Sequence, residues 1–459
     1  MSILIKNGNI VTATDNYLAD IFIEGEQIVA IGKNLTQKAD TTIDASGKLV
    51  FPGGIDPHVH LDMPFMGTFS SDNYETGTRA ALYGGTTMVI DFILQTQGKS
   101  LQSALDEWRG RSDNNCVGDY SFHMAVTDFN EDTKKEIKGL IEKEGIVSFK
   151  TFMAYKGALM IDDRQMIGLM EEVKANGGLI NVHATNGDMI DYLIAKHRAE
   201  GKLSPLYHYL SQPEITEAEA SERFVDMASY TGCPGYIVHL TCEGALNAVR
   251  NATRRNQKMF VETCIQYLII DASLYEQEDG AKWVMSPPLR QKKDQDTLWA
   301  GINQGLVQVV ATDHCPFKWE QKLMGKDDFS KIPNGHPAIE NRMELLFSEG
   351  VNKGKITLNK YVEVACTNPA KIFGMFQRKG TIAVGSDADI VIFDPKEKHT
   401  ISAKTHHMNV DYSAYEGWEL TGKVKAVLLR GKVAIENNKC LVDPGYGKFI
   451  KRGKVAQVI

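Results

Sequence analysis

Residues 51–60 read Phe-Pro-Gly-Gly-Ile-Asp-Pro-His-Val-His. An apolar lead-in ends at His58 and His60, one residue apart. On an extended strand, side chains at i and i+2 point to the same face, so both imidazoles are aimed into one space where a single metal ion could take them. The same stretch separates two α/β architectures. An open doubly wound sheet usually carries a Gly-rich phosphate loop after its first strand. Here that position holds His-Val-His-Leu-Asp. A His-x-His alone is a weak signal, because paired histidines at a solvated strand end are common. The rest of the chain has to supply its context.

On the N-terminal side, residues 1–50 read as short strands. Ile3-Leu4-Ile5 is followed by Asn7-Gly8, a turn signal, and then by Ile10-Val11. Asp20–Ile23 and Gln27–Ile31, separated by Glu24-Gly25-Glu26, read as a hairpin.

On the C-terminal side the pattern changes. Eight apolar strand-like runs fall near 53–60, 86–92, 120–126, 145–152, 179–184, 235–240, 258–263 and 307–313. Helix-like stretches lie between and after them, including 163–176, 214–231 and 338–353; Met166, Ile167, Leu169, Met170 and Val173 give the first its helical apolar spacing. Near-continuous apolar strands alternating with helices indicate a parallel sheet covered on both faces. Eight repeats over this length predict a closed (β/α)₈ barrel. After Phe376 the character returns to β, with strands expected at 380–386, 388–393, 424–430 and 432–436. Neither flank has enough strands for a core of its own. The division expected is therefore an α/β protein: a TIM-like barrel over 53–376, and one small β-sandwich built from 1–52 and 377–443. A tail, 444–459, is expected to pack on a neighbouring subunit or stay mobile.

Bulk properties narrow the function. Hydrophobic residues make up 43% and charged residues 24%, the balance of an ordinary globular protein. A net charge of −7 argues against a nucleic-acid partner held by a basic face. No charged-then-apolar stretch and no apolar run of membrane-span length is read, so neither a secretory leader nor a membrane span is expected. Seven scattered cysteines without a C-x-x-C pair suit free thiols in a reducing cytoplasm.

Catalytic residues of such barrels sit at the C-terminal ends of different strands. Reading those ends gives His58 and His60 on strand 1, Lys150 on strand 4, His183 on strand 5, His239 on strand 6 and Asp313 on strand 8. Each has a bland alternative, a satisfied polar residue at the barrel mouth or, for Asp313, a helix N-cap. Their joint placement at one end of one barrel is what favours a site. Imidazole nitrogen and carboxylate oxygen are ligands Zn²⁺ favours. Lys150 is the odd member, since an ammonium has no lone pair. Burial beside metals would depress its pKa. The neutral amine could then add CO₂, giving a carbamate with two anionic oxygens able to bridge two ions.

Eight motifs then occur in one order: FPGGIDPHVHLDMP, SFKTFMAYK, NVHATNGD, YIVHLTC, MSPPLR, ATDHCPF, IPNG and KGTIAVGSDADIV. In these the chain resembles the dihydropyrimidinase/hydantoinase family, cyclic-amide hydrolases of the amidohydrolase superfamily, over nearly its whole length. The resemblance implies ring opening of dihydropyrimidines or 5-substituted hydantoins to N-carbamoyl amino acids by a metal-bridging hydroxide. It implies two divalent ions, zinc foremost with manganese or cobalt as alternatives: one on His58, His60 and Asp313, the other on His183 and His239, with carbamylated Lys150 between them. Tyr155 would donate to the oxyanion and Asp313 would carry the proton to the leaving nitrogen. Main-chain groups of Ser286 and Asn334 would grip the ring's amide edges, while Phe65, Phe152 and Leu159 would face its substituent or simply pack. A homotetramer is also implied. The chain departs from the family at Thr185, where a Glu is usual. Cys315, beside His314, reads as a buried thiol rather than a nucleophile.

Two other readings stay open. One is a different cyclic amidase, an allantoinase or a dihydroorotase; the strand-1 loop, Leu61–Phe69, offers no cationic clamp for a dihydroorotate carboxylate. The other is a catalytically dead scaffold relative, which the retained ligand-type residues and Tyr155 disfavour.

Overall fold

The computed structural model describes residues 1–454. Eight parallel strands form one sheet: β1 (Gly54–Val59), β2 (Thr86–Leu94), β3 (Asp119–Ala125), β4 (Ser148–Phe152), β5 (Leu179–His183), β6 (Gly235–Ile237), β7 (Met259–Cys264) and β8 (Val309–Ala311). They pair in chain order, and the ring closes where Val59 bridges to His314 and the His60 N–H donates to the His314 carbonyl at 2.8 Å. Nearly every strand residue is buried, which is why the runs read as continuously apolar. Helices such as Tyr74–Tyr83, Leu101–Ser112, Asp163–Ala175 and Glu214–Thr231 cover the outside. The third begins on Asp162, whose carboxylate caps the Gln165 N–H while the Gln165 side chain answers the Asp162 N–H.

The base of the barrel explains the Gly-rich opening stretch. A Cβ at Gly53 would lie 2.1 Å from Thr87 Oγ1, so only glycine lets β1 enter against β2. Above it Arg342, fully buried, donates to the carbonyls of Ile55 and Val310 and to Thr86 Oγ1. One guanidinium thereby pins β1, β2 and β8.

Both flanks join one nine-stranded sheet. Its strands Leu49–Pro52 and Ile390–Thr400 pair antiparallel, Pro52 opposite Ile390. Its own core is aliphatic, with Ile3, Ile5, Ile21, Ile23, Val50, Ile390, Ile392 and Leu428 buried together.

Three local expectations are corrected. Asn7-Gly8 is not a turn: Ser2–Val11 is one strand with a register shift between Ile5 and Gly8. Asn7 adopts φ 61°, tolerable for Asn, and its N–H is taken by Asp20 Oδ1 at 2.8 Å. Residues 380–386 form turns rather than a strand, because their backbone is tied locally and to one residue of the hairpin, Ile28, through Ser386 and Gly385. The stretch 338–353 is α-helical only over Arg342–Leu345 and continues as a π-helix, Leu346–Val351. The Ala338 and Ile339 N–H groups at its start turn to His314 Nδ1 instead of opening a regular helix.

The described part of the tail packs beneath its own barrel. Arg452 is buried there and donates to Ser121 Oγ, Ser148 Oγ and the Phe122 carbonyl. Residues 455–459, the end of the tail expected to meet a neighbour, lie outside the described residues.

Candidate active site

All six ligand-type residues converge at the C-terminal mouth of the barrel. His58 is the last residue but one of β1 and His60 follows the strand; the pleat turns both inward. Lys150 lies in β4 and His183 closes β5. His239 and Asp313 stand two residues beyond β6 and β8, each in left-handed backbone, φ 39° and 54°. Tyr155, beyond β4, is also left-handed at φ 65°. Non-glycine residues rarely hold that conformation, and here three of them bend strand ends toward one point.

The geometry divides into two clusters. His58 Nε2 and His60 Nε2 each stand 3.0 Å from Asp313 Oδ1. Potential ligand atoms of these three residues lie within 4.8 Å of one another. On the other side His183 Nδ1 faces His239 Nε2 at 2.9 Å. Lys150 Nζ sits against Phe92 and Phe152, 4.5 and 5.3 Å from the ring centroids, and makes no salt bridge among the described residues.

Electrostatics fit a dication. Burial pulls His60 down and holds His183 at about 3, with His239 well below the usual imidazole range, so all three are neutral and present lone pairs. Burial would lower His58 as well, but the carboxylates of Glu262 and Asp313 win and raise it to about 9. Asp313 is pushed up by burial and pulled further down by His58 and His60, which leaves it well below the carboxylate range and ionised. Two carboxylates, Glu262 buried and Asp313 half-buried, thus face mostly neutral imidazoles. His58 Nε2 points at Asp313 without forming a hydrogen bond, an orphaned nitrogen in the position of a ligand. Burial also lowers Lys150 to about 8, within reach of the neutral amine that carbamylation needs.

A cavity of about 520 Å³ opens onto these groups. Phe65, Phe152, Tyr155, Leu159, Ser286 and Asn334 all line it, so every residue expected to meet substrate is brought to one space. The Tyr155 ring stands edge-on to Phe65 and Phe152, both at 6.1 Å. Burial raises its phenol to about 12, so the hydroxyl is a donor at neutral pH. Ser286 Oγ accepts from Gln212 Nε2 and Asn334 Nδ2, each at 3.1 Å. Among the described residues, the main-chain N–H and C=O of Ser286 and Asn334 have no protein partner. Thr185 is buried beside a side chamber of about 90 Å³ that shares Tyr155 and His183 with the main cavity, and its hydroxyl has no partner. Cys315 is a buried thiol raised well above its usual range by burial, unsuited to attack.

Sequence reasoning missed the carboxylates behind the ligands. Glu262, from the middle of β7, pairs with His58 Nδ1, receives the Tyr236 hydroxyl at 2.8 Å and caps the His239 N–H at 3.1 Å. A charge inside Met-Phe-Val-Glu-Thr-Cys was the available signal. Asp72 likewise holds His314 Nε2 at 3.0 Å, fixing the residue next to Asp313.

Comparison with known proteins follows the same lines. The sequence profile of the amidohydrolase family matches residues 49–434. A D-hydantoinase of Geobacillus stearothermophilus is 47% identical over 99% of this chain and 97% of its own. A dihydropyrimidinase of Rattus norvegicus is 42% identical over 100% of this chain and 90% of its own. The crystal structure of a dihydropyrimidinase from Brevibacillus agri NCHU1002 superposes with a TM-score of 0.99 at 47% identity, covering both chains completely.

Proposed function

The chain belongs to the amidohydrolase family, among its dihydropyrimidinases and hydantoinases, and from that premise we propose that it hydrolyses the cyclic amide bond of 5,6-dihydropyrimidines or 5-substituted hydantoins to N-carbamoyl amino acids. The single observation that carries the reading is the convergence of four histidines, Asp313 and a partnerless buried lysine on one cavity floor, beneath a phenol and two free main-chain edges. The barrel, 53–376, would be the catalytic unit and the flanks, 1–52 and 377–443, its sandwich.

His58, His60 and Asp313 would hold one divalent ion, His183 and His239 a second, and carbamylated Lys150 both. In the carbamylation, the neutral Nζ bonds to the carbon of CO₂ and releases a proton, giving an anion with two oxygens to offer as ligands. The ions, zinc by donor type, supply Lewis acidity and a water acidic enough to attack at neutral pH.

The chain's own groups do the rest. Free N–H and C=O groups at Ser286 and Asn334 match the alternating amide edge of the ring, and backbone recognition orients it without demanding a side chain. The Tyr155 hydroxyl donates to the oxygen of the scissile carbonyl as it becomes an oxyanion, in a site where Phe65 and Phe152 exclude water. An Asp313 carboxylate oxygen accepts the proton of the attacking water and returns it to the leaving ring nitrogen. Because Asp313 is ionised, it starts as a base. Leu159, Phe65 and Phe152 would pack the C5 or C6 substituent.

Metal content per chain, measured with loss of dihydrouracil absorbance, tests the reading. About two ions per chain with turnover are expected. No metal, and none taken up with zinc and bicarbonate, overturns it. Seven free cysteines, six of them buried, support a reducing, cytoplasmic setting; no helix among the described residues is long and apolar enough to cross a membrane. We propose a homotetramer on the family resemblance, and a monomeric mass in solution scattering would contradict it.

A further inference from the structure

Lys322 ends the short helix Trp319–Lys322, nine residues beyond Asp313, and is fully buried. Its Nζ donates to three carbonyls: Val284 at 2.9 Å, Pro333 at 2.7 Å and Gly335 at 2.8 Å. An ammonium has three N–H donors and no acceptor, so its hydrogen-bonding capacity is matched completely. No carboxylate within salt-bridge distance accompanies it among the described residues; the Phe317 ring has its centroid 5.6 Å away.

The three carbonyls are not scattered. Val284 lies two residues before Ser286, and Pro333 and Gly335 bracket Asn334. These are the two loops whose unpartnered main-chain groups face the cavity. Besides Lys322, two neutral bonds join them: the Gly335 N–H to the Val284 carbonyl at 3.0 Å, and Asn334 Nδ2 to Ser286 Oγ at 3.1 Å. Hydrogen bonds to a charged group are roughly twice as strong as neutral ones, so the ammonium is the dominant tie. The approach is close as well: a Cβ at Gly335 would sit 2.0 Å from the Cys315 carbonyl, so the Asn334 loop is also seated on the loop that carries Asp313. Burial, only partly opposed by Cys315, draws the Lys322 amine down to about 7, while three carbonyl dipoles favour the charged form. Burying a cation is costly, and here its donors all go to the backbone on either side of two cavity-lining residues.

We propose that Lys322 is a positioning residue: it fixes the separation of the Ser286 and Asn334 loops, and so the spacing of the main-chain groups that take the amide edge of the ring. The inference rests on the reading that those two residues grip substrate. It adds a residue outside the cavity that sets ring recognition.

The test is a comparison of substrates across variants of the metal-loaded full chain. Wild type, Lys322→Met and Lys322→Gln are assayed with 5,6-dihydrouracil and with its N1-methyl derivative, in which the ring nitrogen outside the scissile amide cannot donate. Metal content is measured for each. In wild type the methyl group raises KM by about tenfold or more, the loss of one well-placed hydrogen bond. In Lys322→Met, KM for dihydrouracil rises about tenfold or more, kcat stays within about threefold, and the methyl penalty shrinks toward unity. Lys322→Gln, which keeps two donors, lies between and carries the comparison if the Met variant does not fold. An undiminished methyl penalty in both variants overturns the proposal and leaves the grip intact. Absence of any penalty in wild type overturns the grip itself, and the positioning role with it.

Discussion

Glu262 lies behind His58: its carboxylate takes Nδ1, so that Nε2 is the nitrogen turned to Asp313 and His60. The pairing fixes which ring nitrogen is free and raises its basicity, the usual service of an outer carboxylate to a ligating imidazole. Glu262→Gln keeps the shape but removes the charge. We expect metal affinity to fall about 10–100-fold, read by equilibrium dialysis against a competing chelator. Unchanged affinity would make Glu262 a packing residue.

Tyr155 tests the chemistry more directly. Tyr155→Phe removes one donor aimed into the cavity and leaves both ring–ring contacts with Phe65 and Phe152 in place. Loss of a single oxyanion donor costs about 10²–10³ in kcat. Steady-state kinetics on dihydrouracil should show that fall with little change in KM.

Substituent preference should reside in Leu159. It lines the cavity and is half-buried, so truncation enlarges the space without opening the core. Leu159→Ala is expected to lower kcat/KM for an aryl-substituted hydantoin by about tenfold or more, while unsubstituted dihydrouracil is nearly unaffected. The ratio of the two substrates is the readout. Equal losses on both would remove Leu159 from specificity.

Acid should loosen the substrate loops. His208, buried, donates Nε2–H to the Met285 carbonyl at 2.7 Å, and burial holds it at about 4. Burial likewise holds His336, bonded to the Tyr415 hydroxyl, at about 3. Both stay neutral when folded and titrate near 6.5 when unfolded, so the unfolded chain binds more protons below that value. Their contribution is complete above pH 6.5 and declines as pH falls toward 4. Across that interval each pH step of one costs about 1.4 kcal/mol per imidazole, and about 3 kcal/mol per imidazole is lost by pH 4. Urea midpoints at about pH 7.5 and 5 measure it; His208→Gln should flatten the dependence.

The sequence made some of this legible for physical reasons. Barrel strands are buried on both faces, so each appears as an unbroken apolar run, and a His, Lys or Asp at its end is conspicuous. That exposed His58, His60, Lys150, His183, His239 and Asp313. Glu262 was harder, because it sits inside its run and its partner is more than two hundred residues away. Lys322 left no trace at all: its acceptors are carbonyls, which every residue has. Asn7 and residues 380–386 misled because strand and turn preferences there are outweighed by pairing with Asp20 and Ile28.

The pairing of Pro52 with Ile390 carries a consequence for biogenesis. The N-terminal strands are made first, yet the partner that completes their sheet is translated about 340 residues later. At the usual 5–20 residues per second, the nascent chain spends roughly 20–70 s with that strand edge open. Arg452 arrives about sixty residues later still, so the barrel floor is sealed only after that edge has been covered. An unpaired aliphatic edge held open that long invites association between chains. Yield in a host should therefore depend on elongation rate and on chaperones that shield nascent strands, more than on the stability of the finished enzyme.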